Sequence, residues 1–232
     1  MSAICGIALD LEGTVVNLEH AHFRAFIMAA DELGVKIDFR TITEKIPNAI
    51  GGGDKLIAKG IAELSSGKID PDKLLALKMF HYSKLLHEVK LAPRPGFLAA
   101  LKEMRKAELP VMIGSLTELG AANAILHRSG LVRYFSRNET VLLGDVREKK
   151  PAPDVYLETA RRMGIEPETQ LVFEDSITGI TAATRAGSFV IAMPVFRKRE
   201  IMDGVLDAGA RRVFFGWDEM RVMNVIQNLR QE

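Results

Sequence analysis

The chain has 232 residues, 47% of them apolar and 26% charged, a balance that excludes a disordered or fibrous polypeptide and suits a globular protein able to bury a sizeable core. Its 31 Lys and Arg against 30 Asp and Glu leave a net charge of +1, so no global basic field points to nucleic acid as a partner. No apolar stretch is long enough to cross a bilayer and no leader pattern opens the chain, so a cytoplasmic protein without a membrane partner is expected.

The length fits either one large α/β domain or a core carrying a smaller insertion, and the pattern along the chain decides for the second. Ile4-Cys5-Gly6-Ile7-Ala8-Leu9 is a continuous apolar run closed by Asp10 and the Gly13-Thr14 turn signal, which predicts a strand buried on both faces. Cys5, the single cysteine, cannot form an intramolecular disulfide and is expected to be a small buried hydrophobe. From about Leu18 to Leu91 the periodicity turns helical. Phe23, Phe26, Ile27, Ala30 and Leu33 form one apolar face before Gly34, and further helices are predicted over Lys55–Leu64 and Pro71–Val89. Ile50-Gly51-Gly52-Gly53-Asp54-Lys55 breaks this helical stretch, and Pro93-Arg94-Pro95-Gly96 ends it.

A regular alternation follows. Helices are predicted at Phe97–Ala107, Leu119–Ser129, Pro153–Met163 and Ile177–Ala186. Strands are predicted at Val111–Gly114, near Val141–Leu143, at Gln170–Phe173, at Phe189–Ala192 and near Arg212–Phe215, with a closing helix. Such alternation implies right-handed crossovers and a parallel sheet covered on both sides. Ligands of such sheets bind beyond the carboxyl ends of the strands. There the sequence places Asp10, Ser115 after Val111–Gly114, and Glu174-Asp175 after Gln170–Phe173, with Lys150 in the loop before the Pro153 helix.

Neighbouring carboxylates repel unless a cation or protons intervene, so Asp10, Glu174 and Asp175 form an oxygen-rich site suited to a hard ion such as Mg2+. Magnesium shares phosphate oxygens with its substrate, which makes a phosphorylated compound the natural ligand. Ser115 can donate to a phosphate oxygen and Lys150 can neutralise charge on the transferring group. Asp10 can attack phosphorus to form an aspartyl-phosphate, and Glu12, two residues on, can exchange protons with the leaving and incoming oxygens.

Asp10-Leu11-Glu12-Gly13-Thr14, Ser115, Lys150-Pro151-Ala152-Pro153-Asp154 and Val172-Phe173-Glu174-Asp175-Ser176 with Gly179 resemble, in order, the four motifs of the haloacid dehalogenase superfamily. The helical insertion after the first motif and His22-Phe23-Arg24-Ala25-Phe26 are similar to the branch of β-phosphoglucomutase and phosphoglycolate phosphatase-like enzymes. The resemblance implies an α/β fold: a Rossmann-like parallel-sheet core, residues 1–16 plus 93–232, with a small α-helical cap, residues 17–92, inserted after the first strand. It further implies Mg2+ held by the Asp10 carboxylate, the Glu12 backbone carbonyl, Glu174 and Asp175, with Ser115 and Lys150 as phosphate contacts. The superfamily's dehalogenases lack the acidic pair, and Glu174-Asp175 argue against that chemistry.

One position departs from the pattern. Phosphatases and mutases of the superfamily usually carry Asp where this chain has Glu12, although the enolase-phosphatase branch uses Asp-Ile-Glu-Gly-Thr. A displacement of about 1 Å in a catalytic group can cost on the order of a hundredfold in rate. Three readings follow: a Mg2+-dependent phosphatase for a small phosphorylated metabolite, a sugar phosphomutase, or a phosphometabolite-binding protein whose turnover is lost at Glu12. A monomer is expected.

Taken singly, Asp10 reads as a turn cap, Ser115 as a helix cap and Lys150 as a surface lysine; the four motifs together make them site residues. Asp154 reads as a helix-start charge, and His20 and His22 as packing or surface residues. Lys55, beside the triple glycine, is a candidate substrate contact, ahead of Lys45 and Arg24. The Met residues and Trp217 read as core filling.

Overall fold

The computed structural model describes residues 3–47, 49–50 and 53–229. The chain divides into two compact units, Met1–Asn17 with Leu91–Glu232, and Leu18–Lys90.

The first unit is built on a parallel six-stranded sheet of β1 (Gly6–Leu9), β2 (Val111–Gly114), β3 (Thr140–Val141), β4 (Gln170–Glu174), β5 (Phe189–Ala192) and β6 (Arg212–Val213), in the order β3-β2-β1-β4-β5-β6. The order reverses at β1. Growth runs outward through β2 and β3, then returns to the other side of β1 as β4 to β6, and this switch point opens a crevice at the strand ends. Register aligns that crevice: Leu9 is level with Ile113 on one side and Phe173 on the other. Asp10, Gly114 and Glu174 therefore form one row, with Ser115 and Asp175 a residue further out.

Alternation within the strands separates two cores. Ala8, Met112, Val172 and Val190 point to one face, where they pack with Val155 and Tyr156 of α7 (Asp154–Met163) and with Ile180 and Ala183 of α8 (Ile177–Arg185). Phe173 points to the other face and meets Trp217, which in turn meets Phe97 at the start of α5 (Phe97–Lys106). Trp217 is 2% exposed and donates its indole N–H to the Thr14 carbonyl at 3.0 Å. The remaining helices of this unit are α6 (Leu119–Arg128), α9 (Arg199–Asp207) and α10 (Val222–Leu229).

The second unit holds α1 (Glu19–Glu32), α2 (Phe39–Lys45), α3 (Asp54–Leu64) and α4 (Pro71–Glu88). Asp38 and Asp70 cap α2 and α4, accepting from the amides of Thr41 at 2.7 Å and Lys73 at 2.8 Å, and Pro71 supplies a first-turn residue that needs no amide partner. On α4, Lys78 is fully buried. It donates to Asp54 at 2.5 Å, lies 2.9 Å from His22 Nδ1, and faces the rings of Phe26 and Tyr82.

Several expectations are corrected. The third strand is only Thr140–Val141, and Leu143–Asp145 is instead a 3-10 turn, because the Asp145 carboxylate accepts the Leu142 amide at 2.8 Å and curls the chain. The last strand stops at Val213. Cys5 is exposed, lying just before β1 begins. Along α1 the buried residues are Ala21, Phe23, Ala25, Phe26, Ala29 and Ala30, so small alanines replace the anticipated Ile27 and Leu33 in the packed face. Met79 and Met202 are exposed rather than core. Helices α2 and α9 were not anticipated, being short and rich in charge. Gly51 and Gly52 of the triple glycine lie outside the described residues.

The first unit has one internal fastener that the sequence does not advertise. Arg94 is buried, and its guanidinium donates to the carbonyls of Gly13 at 2.6 Å, Met193 at 2.7 Å and Phe215 at 2.6 Å, while its own amide donates to Val15 at 2.7 Å. It binds the turn after β1 to the segments after β5 and β6. Arg94→Met strands three acceptors, two of them buried, and is expected to lower the unfolding free energy by about 3 kcal/mol, at roughly 1 kcal/mol per orphaned carbonyl. Urea unfolding measures this, and Arg94→Lys should recover less than half, because an ammonium cannot reproduce the planar fork.

Candidate active site

At the end of β1 the buried Asp10 meets a lysine brought from the loop before α7. Lys150 Nζ donates to Asp10 Oδ1 at 2.7 Å and to Glu174 Oε1 at 2.7 Å, with the Gly114 carbonyl at 3.4 Å and the Tyr156 ring centroid at 5.0 Å. The loop is held in turn by Asp154, whose carboxylate accepts the Glu148 amide at 3.1 Å. Its helix-start position thus serves the loop that carries Lys150.

Glu174 is fixed at both oxygens. Oε1 takes Lys150 and the Tyr156 hydroxyl at 3.2 Å, and Oε2 takes the Ser176 amide at 2.7 Å and hydroxyl at 3.0 Å. Ser176 also caps α8 by accepting the Gly179 amide at 3.1 Å. Beside it, Asp175 Oδ1 accepts the Thr14 hydroxyl at 3.3 Å. Both acidic side chains press on glycines. A Cβ at Gly13, where φ is +91°, would lie 2.0 Å from Asp175 Oδ2, and one at Gly179 would lie 1.7 Å from Glu174 Oε1. Only glycine at these two positions lets the carboxylates approach so closely.

On the β2 side, Thr117 donates to Glu12 Oε1 at 2.5 Å and shares a 2.8 Å contact with the Ser115 hydroxyl, whose oxygen also accepts the Thr117 amide at 3.4 Å. The Ser115 amide is spent on the β3 carbonyl of Val141 at 2.9 Å, so its hydroxyl is the group it can offer a ligand.

The electrostatics follow from burial. Loss of water pushes the Asp10 carboxyl up to about 7; Lys150 pulls against this, and the Glu174 and Glu12 charges add to it. Burial works against the Lys150 charge, yet Asp10 and Glu174 outweigh it and hold the ammonium well above its usual range. Burial, and then Glu174, raises the Tyr156 hydroxyl, which stays protonated as a donor.

Asp10, Glu174 and Asp175 each present one oxygen within 4.8 Å of the others. An all-oxygen set without sulfur or imidazole suits a hard divalent cation such as Mg2+ and disfavours zinc. Glu174 already satisfies four donors, so an ion drawing on it shares or replaces one of them.

Of the anticipated residues, Asp10, Glu12, Ser115, Lys150, Glu174 and Asp175 all come together within the first unit. Lys55 is not among them; it is an exposed residue of α3 in the second unit. Lys45 and Arg24 are likewise exposed residues of that unit. Thr14 and Ser176 were anticipated only as members of motifs, without a role, and Thr117 and Tyr156 were not singled out, although the Ser-Leu-Thr spacing could have revealed Thr117, since residues two apart in extended chain share a side.

The family model for haloacid dehalogenase-like hydrolases matches residues 4–187. The chain belongs to that family. This hydrolase is 32% identical over 184 residues to the fructose-1-phosphate phosphatase YqaB of Escherichia coli, covering 78% of this chain and 92% of the relative. It is 28% identical to a phosphorylated carbohydrates phosphatase of Thermotoga maritima, over 78% of this chain and 81% of the relative. Its fold matches a haloacid dehalogenase-like protein of unknown function from Agrobacterium tumefaciens with a TM-score of 0.81 at 23% identity, covering 99% of this chain and 100% of the other.

The raised Asp10 carboxyl has a consequence for stability. A carboxyl that binds its proton more tightly folded than unfolded makes the fold less stable as pH rises from the unfolded value, 3.8, to the folded one, about 7. Asp10→Asn removes that buried charge. In EDTA it is therefore expected to melt higher than the parent chain at pH 8, by several degrees, with the difference shrinking toward pH 5 as the parent's Asp10 takes up its proton. Thermal melts at both pH values measure it.

Proposed function

We propose that this hydrolase cleaves a small phosphorylated metabolite, of the phosphorylated-sugar class, by Mg2+-dependent transfer of the phosphoryl group to Asp10 and then to water. The observation that carries the reading is a buried aspartate at the end of the central strand, neutralised by Lys150 and set beside Glu174 and Asp175. The names of the E. coli and T. maritima relatives support the substrate class.

With Lys150 holding Oδ1, Oδ2 of Asp10 attacks phosphorus, and the bond to the sugar oxygen breaks as Glu12 delivers a proton to it. Glu12, now ionised, takes a proton from water. The hydroxide then attacks the aspartyl-phosphate at phosphorus, which frees phosphate and restores Asp10. Lys150 and Ser115 hold the non-bridging oxygens of the transferring phosphoryl group, and Lys150 offsets the charge that builds on them. Mg2+ would be held by Asp10, Asp175, the Glu12 carbonyl and Glu174, and would supply charge neutralisation and orientation of the phosphate. Tyr156 and Ser176 keep Glu174 in place for that task. We assign the helical Leu18–Lys90 unit, with Lys55, the role of a cap that carries substrate selectivity.

A panel of phosphorylated sugars and other phosphometabolites, assayed for released phosphate with MgCl2, tests the reading. Hydrolysis that EDTA abolishes and that Asp10→Asn reduces about ten-thousandfold or more is expected. Interconversion of a hexose 1-phosphate and 6-phosphate without phosphate release would select a mutase instead. Silence across the panel, rescued by Glu12→Asp, would select a binding protein.

A further inference from the structure

Glu12 is one methylene longer than the aspartate usual at its position, and the structure shows where the extra length is taken up. The Glu12 carboxylate reaches across to the β2 side of the crevice, where the Thr117 hydroxyl donates to Oε1 at 2.5 Å. Thr117 is 8% exposed and lies beyond the end of β2. Glu12 Oε1 accepts the single Thr117 proton, as it can while the carboxyl carries its own proton on Oε2. At the 2.8 Å contact between the hydroxyls, Ser115 is then the donor and Thr117 the acceptor. The wiring runs Ser115 O–H to Thr117 O–H to Glu12, each bond polarising the next. The Thr117 amide, donating to Ser115 Oγ at 3.4 Å, ties the chain to the strand end.

We propose that Thr117 is a positioning residue for Glu12. Its hydroxyl holds the longer side chain on the β2 side of the crevice, beside the Ser115 hydroxyl that faces the ligand. Loss of that bond lets the carboxylate shift, and misplacement by about 1 Å costs on the order of a hundredfold. The wiring also couples Glu12 to the substrate. When the Ser115 hydroxyl turns to donate to a phosphoryl oxygen, Thr117 loses its incoming donor and its bond to Glu12 weakens as substrate arrives.

The proposal rests on the reading of Glu12 as the acid and base of an Asp10 phosphatase, and a mutant cycle tests it. Thr117→Val keeps the shape and removes the hydroxyl. It is expected to lower kcat by roughly ten- to a hundredfold with KM changed less than about threefold, and Thr117→Ser to restore most of kcat. In the Glu12→Asp background, whose shorter side chain cannot reach Thr117, the same Thr117→Val change should cost less than about threefold, a coupling that a role in folding alone does not produce. Equal losses in the parent and Glu12→Asp backgrounds, or no loss in the parent, would overturn the assignment of Thr117 while leaving the phosphatase reading intact. A parent chain without turnover on any phosphomonoester would overturn both.

Discussion

The crevice is organised around one buried cation. Lys150 sits between Asp10 and Glu174 at 2.7 Å from each, with side-chain exposures of 7%, 8% and 1% for the three. Two carboxylates sunk this far from water cannot both stay ionised without a positive partner, and such an arrangement contributes little net stability because desolvation offsets the attraction. Much of the surrounding structure serves to deliver and hold that charge. The loop ahead of α7 is anchored through Asp154, Tyr156 closes over Lys150 and donates to Glu174, and Ser176 pins the far oxygen of Glu174 while starting α8. Even so, Asp10 titrates near neutrality, so the site is still short of positive charge. That shortfall is what a divalent cation would relieve.

The geometry also explains why this chemistry sits on this sheet. A parallel sheet that reverses order at β1 places the ends of β1, β2 and β4 side by side, and register puts Asp10, Gly114 and Glu174 in one row. The groups come from segments far apart in the chain and are held together by side chains that take no part in the reaction. Arg94 fastens the turn bearing Gly13 to two distant strand ends, and Gly13 and Gly179 are bare so that Asp175 and Glu174 can lie against the backbone. Close approach of backbone to carboxylate thus sets residue identity as strongly as catalysis does.

The parallel core and the row of polar residues at its edge were legible because buried parallel strands are unbroken apolar runs, and β1, β2 and β4 lead into Asp10, Ser115 and Glu174-Asp175 at the edge where ligands bind. The short elements were not. Thr140–Val141 owes its extent to the Asp145 carboxylate bonding back onto Leu142, and α2 and α9 are short and rich in charge. Cys5 was misplaced because an apolar run does not mark where the sheet begins. Partnerships escaped as well. Nothing in the sequence pairs Arg94 with three carbonyls or buries Lys78 against Asp54, since both depend on where distant segments converge. At Glu12 the sequence supplied the question and the structure a partner, Thr117, two residues beyond a serine already marked for phosphate.

The central claim is that Asp10 itself carries the phosphoryl group. Rapid acid quenching during turnover with MgCl2, followed by mass spectrometry of the peptide that spans residues 4–24, addresses it directly, because an acyl phosphate survives brief exposure to acid. The account predicts a phosphoryl group on Asp10 that appears before the steady state and decays once substrate is exhausted. Phosphate release at an undiminished rate with Asp10 unmodified at every time point would contradict it.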